Sequence, residues 1–215
     1  MEFNDFLQIV PRLISESLKA SDSHLKMAPI ERVKYYQNYD YSVHNPKASA
    51  VVTLFYPKNK RTMILLIVRS KYPGVHSSQI AFPGGKKELG DKDLEDTALR
   101  ELQEEVGISS EMVQLVKQWS ELYIPPSNFL VTPFLGIATQ LPIWKIQEEE
   151  VAQIIELDLD ILLSESIVEQ VTMNTSYAHD IQVPAFVIEG HIIWGATAMI
   201  LSEVKESIKS VLGLD

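Results

Sequence analysis

The strongest constraint in this chain is a helix that carries more negative charge than a helix should. Arg100-Glu101-Leu102-Gln103-Glu104-Glu105-Val106 places three glutamates and an arginine within six positions, and Gly107 ends the run. Glu101 and Glu105 are four apart and Glu104 is three from Glu101, so all three project from neighbouring turns of one helix. Like charges at that spacing cost roughly 0.2–0.5 kcal/mol per pair. Such a helix is either a solvated face threaded with salt bridges or one wall of a cation site. The preceding turn, Gly84-Gly85, permits close approach of the backbone to a ligand. Three carboxylates with no Cys or His nearby form a hard oxygen set suited to Mg²⁺ or Mn²⁺. Such ions bridge phosphate oxygens and activate water.

Charge and composition limit the partners. The 215 residues carry a net charge of −10, which argues against nucleic acid or an anionic membrane as the main partner. A small anionic substrate remains compatible, because Arg69, Lys71, Lys86 and Lys87 fall beside the acidic helix in sequence. Cysteine is absent, so disulfides and thiol chemistry do not arise. With no basic n-region at the start and no apolar run near the ~20 residues of a membrane span, the expectation is a cytoplasmic protein.

The periodicity divides the chain into a helical lead-in, residues 1–45, and a mixed domain, 46–215. Phe3, Phe6, Leu7, Val10, Leu13, Ile14 and Leu18 recur at helical spacing, with Pro11 limiting or bending that helix. A second short helix is expected over Ala28 to Tyr36, and the tyrosines at 35, 36, 39 and 41 read as cover for the domain. Strands are expected at Ala48 to Tyr56, Thr62 to Arg69, Gln79 to Phe82, Gln114 to Leu122, Val131 to Ala138 and Val151 to Glu156. Ile181 to Ile188 and His191 to Trp194 read as a hairpin across Glu189-Gly190. Helices are expected at Leu94 to Val106, Asp158 to Ser164 and Ala196 to Leu212. In the acidic helix, Leu94, Ala98, Leu99, Leu102 and Val106 form the apolar stripe. Thr97, Arg100, Glu101 and Glu104 lie away from it, and Glu105 sits at its border. Tyr123 to Phe129 reads as a rigid loop, and His179 and His191 as ordinary hairpin residues. The fold class is α/β, a mixed sheet flanked by helices.

The region from Gly85 to Ile108 resembles the Nudix box, G-x5-E-x7-R-E-U-x-E-E-x-G-U with U aliphatic. Arg100, Glu101, Leu102, Glu104, Glu105, Gly107 and Ile108 match its second half in full. In the first half Asp91 stands in place of Glu, and the interval to Arg100 is one residue longer. The coenzyme A pyrophosphatase branch of the Nudix superfamily shares both features. Its upstream pattern, L-L-T-x-R-[SA]-x3-R-x3-G-x3-F-P-G-G, is followed by Leu65-Leu66-Ile67-Val68-Arg69-Ser70 and, at the matching distance, Phe82-Pro83-Gly84-Gly85. Ile67, Gly74 and Ser78 replace its Thr, Arg and Gly, and Lys71 or His76 is placed to substitute for the missing base.

That resemblance, over roughly residues 48–200, implies a Nudix-type α/β/α sandwich with an N-terminal helical extension. It implies a Mg²⁺- or Mn²⁺-dependent hydrolase of a nucleoside diphosphate derivative. CoA or acyl-CoA, split into adenosine 3′,5′-bisphosphate and (acyl-)4′-phosphopantetheine, is the substrate it favours. ADP-ribose, a dinucleotide or a damaged nucleotide are the alternatives, and a non-catalytic binding domain is disfavoured by the retained carboxylates. It implies Glu101 and Glu105 as metal ligands, Glu104 as third ligand or base, and the Gly84 carbonyl beside them. Arg100 would hold the glutamates by ion pairs. A second candidate base lies in Glu148-Glu149-Glu150, represented by Glu149. Arg69, Ser70, Ser78, Gln79 and Phe82 are the implied substrate contacts. The expected partner is a CoA-like small molecule, with no nucleic acid and no membrane, and a homodimer if the chain associates.

Overall fold

A parallel pairing of two sequence-distant strands sets the frame. The computed structural model describes residues 1–33, 40–71, 78–173 and 180–214. In chain order the main elements are α1 (Phe3–Ser15), α2 (Ala20–His24), α3 (Ile30–Val33), β1 (Lys47–Lys58), β2 (Arg61–Arg69), β3 (Ile80–Ala81), β4 (Gly84–Lys86) and α4 (Leu94–Val106). There follow β5 (Gln114–Gln118), β6 (Leu122–Ile124), β7 (Phe129–Ile137), β8 (Val151–Asp158), α5 (Leu159–Leu163), β9 (Val168–Met173), β10 (Ile181–Ile188), β11 (His191–Trp194) and α6 (Gly195–Leu212). The path β3-β2-β1-β7-β5 forms the main sheet, with β4 on β1, β6 on β7 and β8 on β2. β1 and β7 run parallel, and the other pairs are antiparallel. A second sheet, β11-β10-β9, is antiparallel throughout.

Each face of the main sheet buries its own core, which makes the sandwich. Along β1 the side chains alternate: Ala50, Val52, Leu54 and Tyr56 pack with Ala98, Leu102 and Val106 of α4. Phe55 points the other way and joins Phe6 and Leu13 of α1 with Val204 and Ile208 of α6. The alternation is the period of two that a strand imposes, used here with both faces covered. This is the expected mixed α/β architecture with helices on both sides. No helix among the described residues is long and apolar enough to cross a membrane.

Several boundaries differ from the sequence pattern, each for a local reason. The stretch expected as one strand from Gln114 to Leu122 is two, because Trp119 turns inward. Its indole nitrogen donates to the Thr53 hydroxyl at 3.0 Å. The helix expected from Ala28 covers only Ile30–Val33 in the described residues, while α2 and a 3₁₀ turn at Leu25–Met27 precede it. Tyr35, Tyr36, Tyr39, Gly74, His76 and His179 lie outside the described residues. β9 escaped notice because its side chains are mostly exposed and its alternation is weak.

The helical lead-in shares the core of the α6 face: Phe3, Phe6, Leu13, Met27 and Ala28 are all buried there. Its attachment also has a polar lock, centred on Glu203 in α6, whose side chain is fully buried. The carboxylate accepts from the Ala20 amide at 3.0 Å, the Ser120 hydroxyl at 2.6 Å and the Ser120 amide at 3.1 Å, and His24 Nε2 lies 3.3 Å away. The Ser202 hydroxyl donates to the Ser23 carbonyl at 2.8 Å alongside. Burial by itself would raise the Glu203 carboxyl, but the hydrogen bonds from His24, Ser120 and Ala20 outweigh it and bring it to about 2.

Because that value lies below the ordinary 4.5, Glu203 contributes stability that is complete above about pH 4.5 and is lost as pH falls towards 2. Glu203→Ala is expected to destabilise by about 3 kcal/mol at neutral pH, the cost of breaking a buried charged network. Urea unfolding as a function of pH checks both statements. The gap between wild type and variant should close over that acid interval, and a gap independent of pH would refute the assignment.

Candidate metal centre and substrate cavity

The acidic helix is held at its start by two aspartates, Asp93 and, in place of the glutamate of the box pattern, Asp91. Asp93 caps α4, its side chain accepting from the Asp96 amide at 2.8 Å. Asp91, two residues earlier, is buried and folds back over the first turn. It accepts from the Glu88 amide at 2.8 Å and the Thr97 hydroxyl at 2.9 Å. Thr97, expected on the open face, is therefore buried. Arg100 grips Asp91 with two bonds, Nε to Oδ1 at 2.8 Å and an Nη to Oδ2 at 3.0 Å. The Arg100 guanidinium, with the Glu88 amide and the Thr97 hydroxyl, holds the Asp91 carboxyl well below the usual carboxylate range. The remaining Arg100 donors reach Glu101 at 3.0 Å, Glu104 at 2.8 Å and the Lys86 carbonyl at 3.1 Å. One planar fork thus ties the loop, the glycine turn and two of the three helix glutamates together.

Glu101, Glu105 and Glu150 bring one carboxylate oxygen each to within 4.8 Å of one another. Glu105, expected at the border of the stripe, is buried, with 1 % of its side chain exposed. Its carboxylate accepts from the Gly84 amide at 2.9 Å and from Arg69 at 3.3 Å. Burial pushes its carboxyl up to about 7; the Gly84 amide and Arg69 pull it down, and the charges of Glu101 and Glu150 raise it further. Glu101 is raised as well, first by burial, with Arg100 opposing and Glu104 and Glu150 adding. Gly85 makes room for it: a Cβ at that position would overlap the Glu101 carboxylate. Gly84 adopts φ +151, and a Cβ there would strike the Ala50 carbonyl of β1. Three hard oxygens converging where two are already costly to ionise form a donor set that fits a divalent cation.

Two residues proposed for this centre stand elsewhere. Glu104 is over half exposed and is paired with Arg100, outside the cluster. In the acidic run, Glu150 joins the cluster rather than Glu149. The cause is backbone: the Gln147 amide donates to the Glu105 carbonyl at 3.0 Å, and the Ser70 amide to the Glu150 carbonyl at 2.8 Å. Those bonds pin the run between α4 and the end of β2, with Glu150 at the point where β8 begins.

Beside this centre opens a cavity of about 560 Å³. Arg69, Gln79 and Phe82 line it, as do Gly84 and Gly85. Ser70 and Ser78, grouped with them in the sequence, do not. The Ser70 hydroxyl donates to the Glu148 carbonyl at 2.9 Å and so holds the acidic run. Ser78 is an exposed turn residue at φ 57, a left-handed conformation at the place where the upstream pattern has glycine. The loop Pro125-Pro126-Ser127 forms one wall, and Trp194 with the first turn of α6 another. Pro29 and Arg32 of the lead-in complete it. No sequence signal marked Arg32, since its place depends on packing between segments far apart in the chain.

With the acidic helix, its glycine turn and the flanking sandwich in place, the class of protein is defined: residues 45–166 match the NUDIX domain, and the chain belongs to that family. It is 33 % identical over 165 residues to a Nudix hydrolase described as uncharacterized, NudL of Photorhabdus laumondii subsp. laumondii, covering 77 % of this chain and 87 % of that protein. The NudL of Yersinia enterocolitica is 34 % identical over 152 residues, covering 67 % and 73 %. Among solved structures, the MutT protein of Methanosarcina mazei Go1 aligns with a TM-score of 0.48 at 16 % identity, covering 76 % of this chain and 94 % of that one.

Asp91→Asn removes the charge on which Arg100 and the start of α4 both depend. It is expected to cost about 2 kcal/mol, as for loss of hydrogen bonds to a charged group. Denaturant unfolding measures this, and a variant as stable as wild type would show that Arg100 is held adequately without Asp91.

Proposed function

We propose that the protein is a metal-dependent pyrophosphohydrolase of nucleoside diphosphate derivatives, with CoA or acyl-CoA as the substrate. The observation that carries the reading is the convergence of Glu101, Glu105 and Glu150 beside a large, mostly apolar cavity, which Arg69, Gly84 and Gly85 of the same centre line. Glu101, Glu105 and Glu150 would hold Mg²⁺ or Mn²⁺, and the Gly84 carbonyl stands on the same turn. When bound, such an ion neutralises diphosphate charge and lowers the pKa of a water. Glu104, held by Arg100, steadies the helix and is not assigned as a ligand.

The chain's own residues account for the rest. Arg69 lies both beside Glu105 and on the cavity wall, so it can meet a phosphate oxygen while fixing the carboxylate. A water oxygen attacks one phosphorus, the bridging P–O bond breaks, and the second phosphate leaves as a stable anion. The proton goes to the second carboxylate oxygen of Glu150, which offers one oxygen to the cluster and whose side chain makes no hydrogen bond among the described residues, whereas Glu104 is paired with Arg100. Positioning and charge neutralisation carry most of the barrier reduction, as is general for phosphoryl transfer. The CoA assignment is supported by Leu65-Leu66, Arg69-Ser70 and Phe82-Pro83-Gly84-Gly85 at the spacing of the coenzyme A pyrophosphatase pattern. The size of the cavity also suits a large substrate.

The test is turnover of CoA, acetyl-CoA, ADP-ribose, NADH and a dNTP with Mg²⁺ or Mn²⁺, with products separated by chromatography. Adenosine 3′,5′-bisphosphate released from CoA at the highest kcat/KM is expected, and a preference for another diphosphate would remove the CoA assignment. EDTA should abolish turnover and added metal restore it. Glu105→Gln and Glu101→Gln should lose most activity while remaining folded. Glu150→Gln should lower kcat by about 10²–10⁴, the range for a general base. Glu149→Gln should stay within about threefold of wild type. Equal losses in the Glu149 and Glu150 variants would overturn the choice between them.

A further inference from the structure

Among the described residues the cavity wall contains three basic side chains, Arg32, Arg69 and Lys86, and no acidic one, in a chain whose net charge is −10. Two of these belong to the acidic centre: Arg69 bonds Glu105, and Lys86 ends the glycine turn. Arg32 does not. It stands on α3, and its guanidinium donates to the Tyr123 carbonyl at 2.9 Å and to Met199 Sδ at 3.3 Å. Those bonds fix it between β6 and α6.

Other features of the wall favour negative charge. The Ser127 hydroxyl is buried and has no hydrogen-bond partner among the described residues. Gly195, Ala196 and Thr197 bring the amino end of the 18-residue α6 to the same cavity, and that end carries partial positive charge. The segment bearing Arg32 is locked by the buried Glu203 network, and lies outside the part of the chain that matches the family.

We propose that Arg32 is a specificity-determining residue: it binds a phosphomonoester carried on the arm of the substrate that fills the cavity, apart from the diphosphate at the acidic cluster. A guanidinium is suited to this task, since it is permanently charged and carries five N–H donors, more than the bonds to Tyr123 and Met199 use. The proposal rests on the diphosphate-hydrolase reading but not on CoA in particular.

The test uses substrate pairs that differ only in a ribose phosphate, CoA against 3′-dephospho-CoA and NADPH against NADH. Wild type, Arg32→Gln and Arg32→Lys are compared, with melting curves as a check on folding. Wild type should favour the phosphorylated member of whichever pair it hydrolyses by about tenfold in kcat/KM, equivalent to about 1.4 kcal/mol. Arg32→Gln should erase that preference through KM, with a much smaller effect on the unphosphorylated member, and Arg32→Lys should keep most of it. Equal loss on both members would mean a merely structural wall, and no preference in wild type would also overturn the proposal. Turnover of the nicotinamide pair alone would sink the CoA assignment while leaving Arg32 fully tested. If neither pair is hydrolysed the catalytic reading fails, and calorimetric titration with adenosine 3′,5′-bisphosphate against AMP decides for Arg32. Binding that does not distinguish the two in wild type, or distinguishes them equally in Arg32→Gln, would refute it.

Discussion

Glu105 is a carboxylate with almost no access to solvent, and the geometry around it follows from keeping it there. Burying an ionised group is costly unless hydrogen bonds and opposite charge compensate. Here the compensation comes from a backbone amide, Gly84, and a guanidinium, Arg69, delivered by two different parts of the sheet. β1 sits at the centre of that arrangement, since it pairs with β2, which ends in Arg69, and with β4, which begins at Gly84. The compensation is incomplete, and the raised carboxyl of Glu105 is the measure of what remains. A protein could satisfy such a group fully with one more donor. Two adjoining carboxylates raised by burial, with a third placed opposite, form a donor set that fits a divalent cation.

The extent to which this was legible from the sequence depends on how local each cause is. The acidic helix could be read to its terminal residues, because its cap, its stripe and its terminating glycine all lie within fifteen positions or so. The two glycines before it were legible as a turn, but their purpose was not: Gly85 is small because Glu101 occupies the space where its side chain would be. Glu150 was missed in favour of Glu149 because the sequence shows three equivalent glutamates. What separates them is the pair of backbone bonds from Gln147 and Ser70, made to partners about forty and eighty residues away. The Ser70 hydroxyl, a substrate contact by resemblance alone, donates to the Glu148 carbonyl of the same run, a partner 78 residues away. Arg32 and the Glu203 network had no local signature at all, being products of how the first and last helices meet.

That meeting gives the N-terminal segment a role beyond covering apolar surface. α1 and α2 pack on α6, and the Glu203 carboxylate joins α2, α6 and the turn between β5 and β6 in a single buried network. The three elements so joined each go on to supply part of the cavity: α3 follows α2, Ile124 and the proline loop follow the turn, and α6 contributes its first turn. A buried polar cluster is a weak source of stability but a strong constraint on relative position. Its value here is register, since a shift of the lead-in by one residue would take the Ala20 amide and His24 away from a buried carboxylate and leave it only the bonds from Ser120.

The exchange of Glu for Asp at position 91 can be understood on the same terms. Asp91 turns inward, accepts from the Glu88 amide before α4 and holds Arg100 from behind. Arg100 is then free to place its last nitrogens on Glu101, Glu104 and the Lys86 carbonyl. At this position the carboxylate serves as an anchor for the arginine that organises the acidic helix, and takes no place in the Glu101, Glu105 and Glu150 cluster.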